Sequence, residues 1–99
     1  MTTPDLIPTA LAHLDAAASL AQAGDDEILA ADVRYARTTL TLSTGISQAA
    51  AAIPASDLDT HLESASAALD QCVDSDPNAA ADLLSARAEL TVLLHRETP

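Results

Sequence analysis

Apolar residues recur along this chain at three- and four-residue spacing in four separate runs, with polar turn residues between them. That period belongs to a helix that buries one face. The first run, Ile7, Leu11, Leu14, Ala18 and Ala21, predicts a helix over about 6–23. Thr3 or Asp5 is expected to cap it, Pro4 and Pro8 fall near its first turn, where a missing N–H is tolerated, and Gly24 ends it. Asp25 then opens a second helix, with Asp26 and Glu27 in the first turn, where the helix dipole favours acids. This helix is expected over about 26–52, stopped by Pro54, with Gly45 a point where it bends or ends early. Two helices joined so closely must run antiparallel.

The second predicted helix carries two apolar stripes. Leu29, Val33, Ala36 and Leu40 make one, and Ile28, Tyr35, Leu42, Ile46 and Ile53 make another about 120° away. The first stripe serves the partner helix. The second needs another hairpin or another chain, so Tyr35, Leu42 and Ile46 are expected to be buried by one of them. Ser56, with Asp59 three residues on, predicts the start of a third helix carrying Leu58, Leu62, Ala65, Leu69 and Cys72 and ending near Val73. Asp76 as N-cap and Pro77 at the first helical position open a fourth, to about Arg96, with Leu83, Ala86, Leu90, Leu93 and Leu94 on its core face. His95 and Arg96 stand where cations complement the C-terminal dipole.

These elements describe an all-α chain, a four-helix bundle and a single domain over 1–99. Hairpin one covers about 5–53 and hairpin two about 55–97, joined at Ala52 to Ala55. A repeat supports the division. Residues 30–41 read AADVRYARTTLT and residues 80–91 read AADLLSARAELT, which agree at seven of twelve positions. The matches include Asp32/Asp82 and Arg37/Arg87, so the hairpins read as a duplication. Within one helix each Arg points away from its own Asp. In a pseudo-twofold arrangement Asp32 is predicted to meet Arg87, and Asp82 to meet Arg37, through the bidentate fork that suits arginine.

Composition changes the picture in two ways. Tyr35 is the only aromatic residue, so the core is built from Leu, Ile, Val and Ala, and small side chains bury little area each. Fifteen acids stand against four arginines and no lysine, a formal net charge of −11. That balance resembles cytoplasmic proteins of extreme halophiles, whose carboxylates hold water in molar salt; the competing reading is an acidic surface that meets a basic partner. Nucleic acid is disfavoured, because no basic patch is present to displace counterions. No signal peptide pattern and no apolar run long enough to span a bilayer occur, so a cytoplasmic protein with no membrane partner is expected.

Candidate chemistry is sparse. Cys72 is the lone cysteine, which excludes an internal disulfide or an all-cysteine metal site. His13-Leu14-Asp15 resembles His61-Leu62-Glu63, and paired histidines near carboxylates invite a metal. The acids point to another side of the helix, however, and the Glu-x-x-His signature of di-iron bundles is missing. Both histidines are therefore expected to flank the core and bond to backbone, carboxylate or water. The serines lie at cap and helix positions with no glycine-flanked elbow, and the two glycines stand apart, so neither a nucleophile nor a phosphate loop is indicated. The sequence reads as a non-catalytic, cofactor-free helical protein that works by association, with itself as a homodimer or with a protein partner. Its interface is expected at Asp32, Arg37, Asp82, Arg87, Tyr35, Leu42 and Ile46. A ligand- or metal-binding bundle using His13 and His61 is the second reading.

Overall fold

A computed structural model describes residues 3–50, 53–75 and 80–95. It contains four helices, α1 Thr3–Ala23, α2 Glu27–Thr44, α3 Leu58–Ser75 and α4 Ala80–Leu94, and no strand among the described residues. The four apolar runs become one core: Ile7, Leu11, Leu14, Ala18 and Ala21 of α1 meet Leu29, Val33, Ala36 and Leu40 of α2, Leu62, Ala65, Leu69 and Cys72 of α3, and Leu83, Ala86, Leu90 and Leu93 of α4. Burial raises the Cys72 thiol pKa, as desolvation disfavours a thiolate.

α1 packs on α2 and α3, and α4 packs on the same two, while the diagonal pairs α1/α4 and α2/α3 make no close backbone approach among the described residues. The bundle is thus a square of two layers, α1 with α3 and α2 with α4. The short link 24–26 reverses the chain between α1 and α2. The longer connection between α2 and α3 lies along α1 instead of crossing directly to a neighbouring helix. Ala50 N–H donates to the Pro8 carbonyl at 2.9 Å, and Ile46 and Ala49 pack on the core.

α1 ends at Ala23 as the sequence predicts, but other helix ends depart from the expectation by one residue or more. The cap of α2 is Asp26, not Asp25, because Asp26 Oδ1 accepts the Leu29 N–H at 3.1 Å. Asp25 instead takes the left-handed conformation, φ 61, that closes α1. Its N–H reaches the Gln22 carbonyl at 3.1 Å and the Asp26 N–H reaches Ala21 at 2.9 Å, the paired bonds of a Schellman turn. α2 ends at Thr44, short of 52, since Gly45 adopts φ 72 and returns its N–H to the Thr41 carbonyl at 2.8 Å. α3 is capped by Asp57 and not Ser56, its Oδ1 accepting the Thr60 N–H at 2.8 Å. The Thr60 hydroxyl, then the Thr60 N–H, hold the Asp57 carboxyl below the usual carboxylate range. α1 begins at Thr3 and takes Pro8 inside it, where the ring removes one bond near the helix start. Ala52, Asp76, Pro77 and Arg96, and the side chains of Thr3, Pro4, Asp5 and Asp82, lie outside the described residues.

Candidate functional site

The second stripe of α2 is solvent-exposed. Ile28 is 79% exposed, Tyr35 61% and Leu42 80%, at spacings of seven residues that keep them in line along the helix. Of the two covers expected for Tyr35 and Leu42, another hairpin or another chain, the first is excluded, because both neighbours of α2 lie on its Leu29 side and take only that stripe. Ile46, just past the helix, is half-buried against the core. On α4, Leu84 and Val92 are also exposed, and with Ala88 between them they form a stripe at four-residue spacing. Since α2 and α4 form one layer, its outer side carries two parallel apolar stripes.

Among the described residues, the duplicated arginines pair within their own hairpins and not across them. Arg37 Nε lies 2.7 Å from Asp15 Oδ1, and Arg87 Nε lies 2.6 Å from Asp70 Oδ1, so each ion pair stays within its own hairpin. Arg87 thus takes Asp70 in place of the predicted Asp32, and Arg37 takes Asp15, while the predicted Asp82–Arg37 contact falls on a side chain outside the described residues. On each helix the arginine sits on the flank that faces the helix before it, whereas Asp32 is exposed on the opposite flank of α2. Arg37 does more than pair: a second nitrogen donates to the Ser47 carbonyl at 2.9 Å, and another to Thr41 Oγ1 at 3.3 Å, so it joins α1, α2 and the connection. In the register that matches His13 to His61, Asp15 corresponds to exposed Glu63 and not to Asp70, so the two arginines match while their partners do not. The duplication is not established by these contacts.

The histidines meet each other, which corrects the expectation of separate backbone, carboxylate or water partners. His13 Nδ1 and His61 Nδ1 are 2.9 Å apart, bringing α1 and α3 together, and the ring centroids are 5.1 Å apart. The centroid distance is close to the nitrogen separation plus two ring radii, so the nitrogens face head-on as in an N–H···N bond. One imidazole donates and the other accepts. Burial, then the neighbouring His61, pushes the His13 pKa below its usual value. His61 is itself buried and shares the wall of a shallow depression with Ala16, Ser19 and Leu20 of α1 and residues 53–56 of the connection. The pair brings two nitrogen donors together; no group of three or more His, Cys, Asp or Glu side chains placed to hold an ion is found among the described residues.

Neither histidine spacing nor charge order could have revealed these contacts. His13 and Asp15 lie about 160° apart on α1 and flank its core face on opposite sides, one reaching α3 and the other α2. The sequence displays that divergence, but which neighbour stands on which side is decided by the bundle. No helix among the described residues is long and apolar enough to cross a membrane. Comparisons with known protein families, curated proteins and solved structures found no match.

Proposed function

We propose that this chain is a non-catalytic association module whose contact surface is the outer side of the α2–α4 layer, working in the cytoplasm of a salt-adapted organism. One observation carries the reading: the only aromatic residue, Tyr35, stands exposed between Ile28 and Leu42 while the core is completed with alanine. Aromatic side chains dominate interface energetics, and an aligned exposed apolar stripe marks a contact surface more often than chance scatter does. The carboxylate-rich composition supports the salt-adapted part, since a charge of −11 opposes compaction until salt screens it.

The test compares the native chain with Tyr35→Glu/Leu42→Glu in molar KCl, by light scattering and by capture from an extract of the source cells. Native protein is expected to self-associate or retain a partner, and the double variant, still helical by circular dichroism, is expected to lose that association. A native chain that stays monomeric at micromolar concentration and retains nothing overturns the proposal.

A second reading, a ligand- or metal-binding bundle, is favoured by the convergence of His13 and His61. Zinc titration followed by the imidazole resonances tests it. Unmoved resonances at millimolar zinc would remove it.

A further inference from the structure

The outer side of the α2–α4 layer has a charge pattern as well as an apolar one. At about 100° per residue, Ile28, Tyr35 and Leu42 point some 130–170° from the core direction of α2, and Leu84, Ala88 and Val92 point about 140–180° from that of α4. Between the stripes lies the α2/α4 seam. Asp32 of α2 and Glu89 of α4 stand at its rim, each about 80–90° from its own core direction and on the side of the other helix.

The described arginines lie off the α2/α4 seam, although Arg87 borders the α4 stripe and lines a shallow depression with Leu84, Ala88, Thr91 and Val92. Arg37 reaches Asp15 and Arg34 reaches Gln22, both at the α1/α2 seam, and Arg87 reaches Asp70 at the α3/α4 seam. The chain has no lysine. The exposed apolar stripes are therefore separated by carboxylates, with the described guanidinium groups turned to the far flanks.

From this arrangement we infer that the α2–α4 face receives a basic amphipathic helix from a protein partner. Its apolar side would lie on Tyr35, Leu42 and Val92, and its Lys or Arg side chains would reach Asp32 and Glu89. The inference rests on the association reading above and adds the chemistry of the occupant. Two facts favour this occupant over a second copy. A copy would bring another charge of −11, and a twofold contact across this seam would set Asp32 and Glu89 against their own counterparts. A helix fits the space, because the stripe from Ile28 to Leu42 runs about 21 Å, some four turns, and two helices side by side present such a groove to a third.

The experiment uses the full chain at the lowest KCl concentration at which circular dichroism shows it folded. The probe is a labelled Leu/Lys amphipathic helix of about 18 residues, long enough to cover the 21 Å stripe. A scrambled peptide of the same composition and a Leu/Glu helix with the same apolar side are the controls. The Leu/Lys helix is expected to bind at micromolar concentration, about tenfold or more tighter than either control. Asp32→Lys/Glu89→Lys is expected to weaken it about tenfold or more, and the milder Asp32→Asn/Glu89→Gln to weaken it less, with the helical signal unchanged.

Equal binding of the scrambled peptide would overturn the inference, leaving diffuse attraction to an acidic surface. Equal binding of the Leu/Glu helix would overturn the basic occupant and leave the apolar face intact. A native dimer that Tyr35→Glu dissociates would make a second copy the occupant, so the inference falls while the association reading stands. No binding of any peptide by a strictly monomeric chain removes both.

Discussion

His13 and His61, forty-eight residues apart, face each other Nδ1 to Nδ1 at 2.9 Å and bridge α1 and α3 through a bond that only a pair with one free lone pair makes. Its strength depends on pH. The folded pKa of His13 lies below the ordinary value near 6.5, so between the two values the unfolded chain binds more protons than the folded one. Stability is then full above about pH 6.5 and falls as the pH drops toward the lowered value, by at most about 1.4 kcal/mol per pH unit for one proton. Urea unfolding between pH 5 and 8 should show that fall in the native chain and a flatter profile in His13→Gln. Identical profiles would mean that His13 is not the source of the pH dependence.

The turn after α1 contains a residue in the wrong place for its type. Asp25 holds the left-handed position that glycine fills at lowest cost, while Gly24 beside it does not. Asp25→Gly is expected to stabilise the fold by about 0.5 kcal/mol. Gly24→Ala is expected to be neutral or slightly stabilising, since its Cβ would meet only the Leu20 and Ala21 carbonyl oxygens at 3.5 and 3.7 Å. Gly45→Ala, at φ 72, should cost about 1 kcal/mol, a melting shift of roughly 4–8 °C. Thermal melts of the three variants check the order, and a Gly45→Ala protein as stable as the native chain would contradict it.

Much of this bundle was legible before any coordinates. Every position of the Leu29, Val33, Ala36, Leu40 stripe is buried, and so are Leu62, Ala65, Leu69, Cys72 and Leu83, Ala86, Leu90, Leu93, because a period of three and four specifies a face regardless of what covers it. Caps were legible only to within a residue: Asp25 and Asp26, like Ser56 and Asp57, offer adjacent oxygens, and the backbone conformation chooses between them. Partners were not legible. Nothing in the sequence ties Arg37 to one acid, and Asp15 is selected because α1 lies on that flank of α2. The cover of Tyr35 stayed open for a related reason, as an apolar stripe announces a surface to be covered without saying whether this chain or another supplies the cover.

Arg37 should matter more than the ion pair it makes. Asp15→Ala removes a half-exposed partner worth at most about 1 kcal/mol after solvent screening. Arg37→Ala also releases the Ser47 carbonyl and Thr41, so it is expected to cost more, and Arg37→Lys is expected to recover only part, lacking the planar fork. Denaturant unfolding of the single and double variants measures this. Equal losses for Asp15→Ala and Arg37→Ala would mean that the tie to the connection contributes nothing.

Salt should stabilise the fold over an unusual range. With a net charge of −11, self-repulsion is relieved first by screening, and the Debye length has already shrunk to about 10 Å at 0.1 M salt. A surface adapted to molar salt is expected to keep gaining melting temperature from about 0.5 M KCl into the multimolar range, where screening between separated charges is nearly complete. A plateau above about 0.5 M would remove the salt-adapted reading and leave the basic partner inferred above as the role of the acids.

α1 is shared property. Its buried residues, from Leu6 and Ile7 through Ala10, Leu14 and Ala17 to Ala21, face α2 and α3 together, and the connection lies along it as well. Neither hairpin is therefore self-contained, whatever the repeat in the sequence suggests about its two halves. A chain severed in the connection would yield two fragments, each with half an unsatisfied helix face, that acquire structure only on mixing. Such a split protein would report the reunion of its halves as an all-or-none signal.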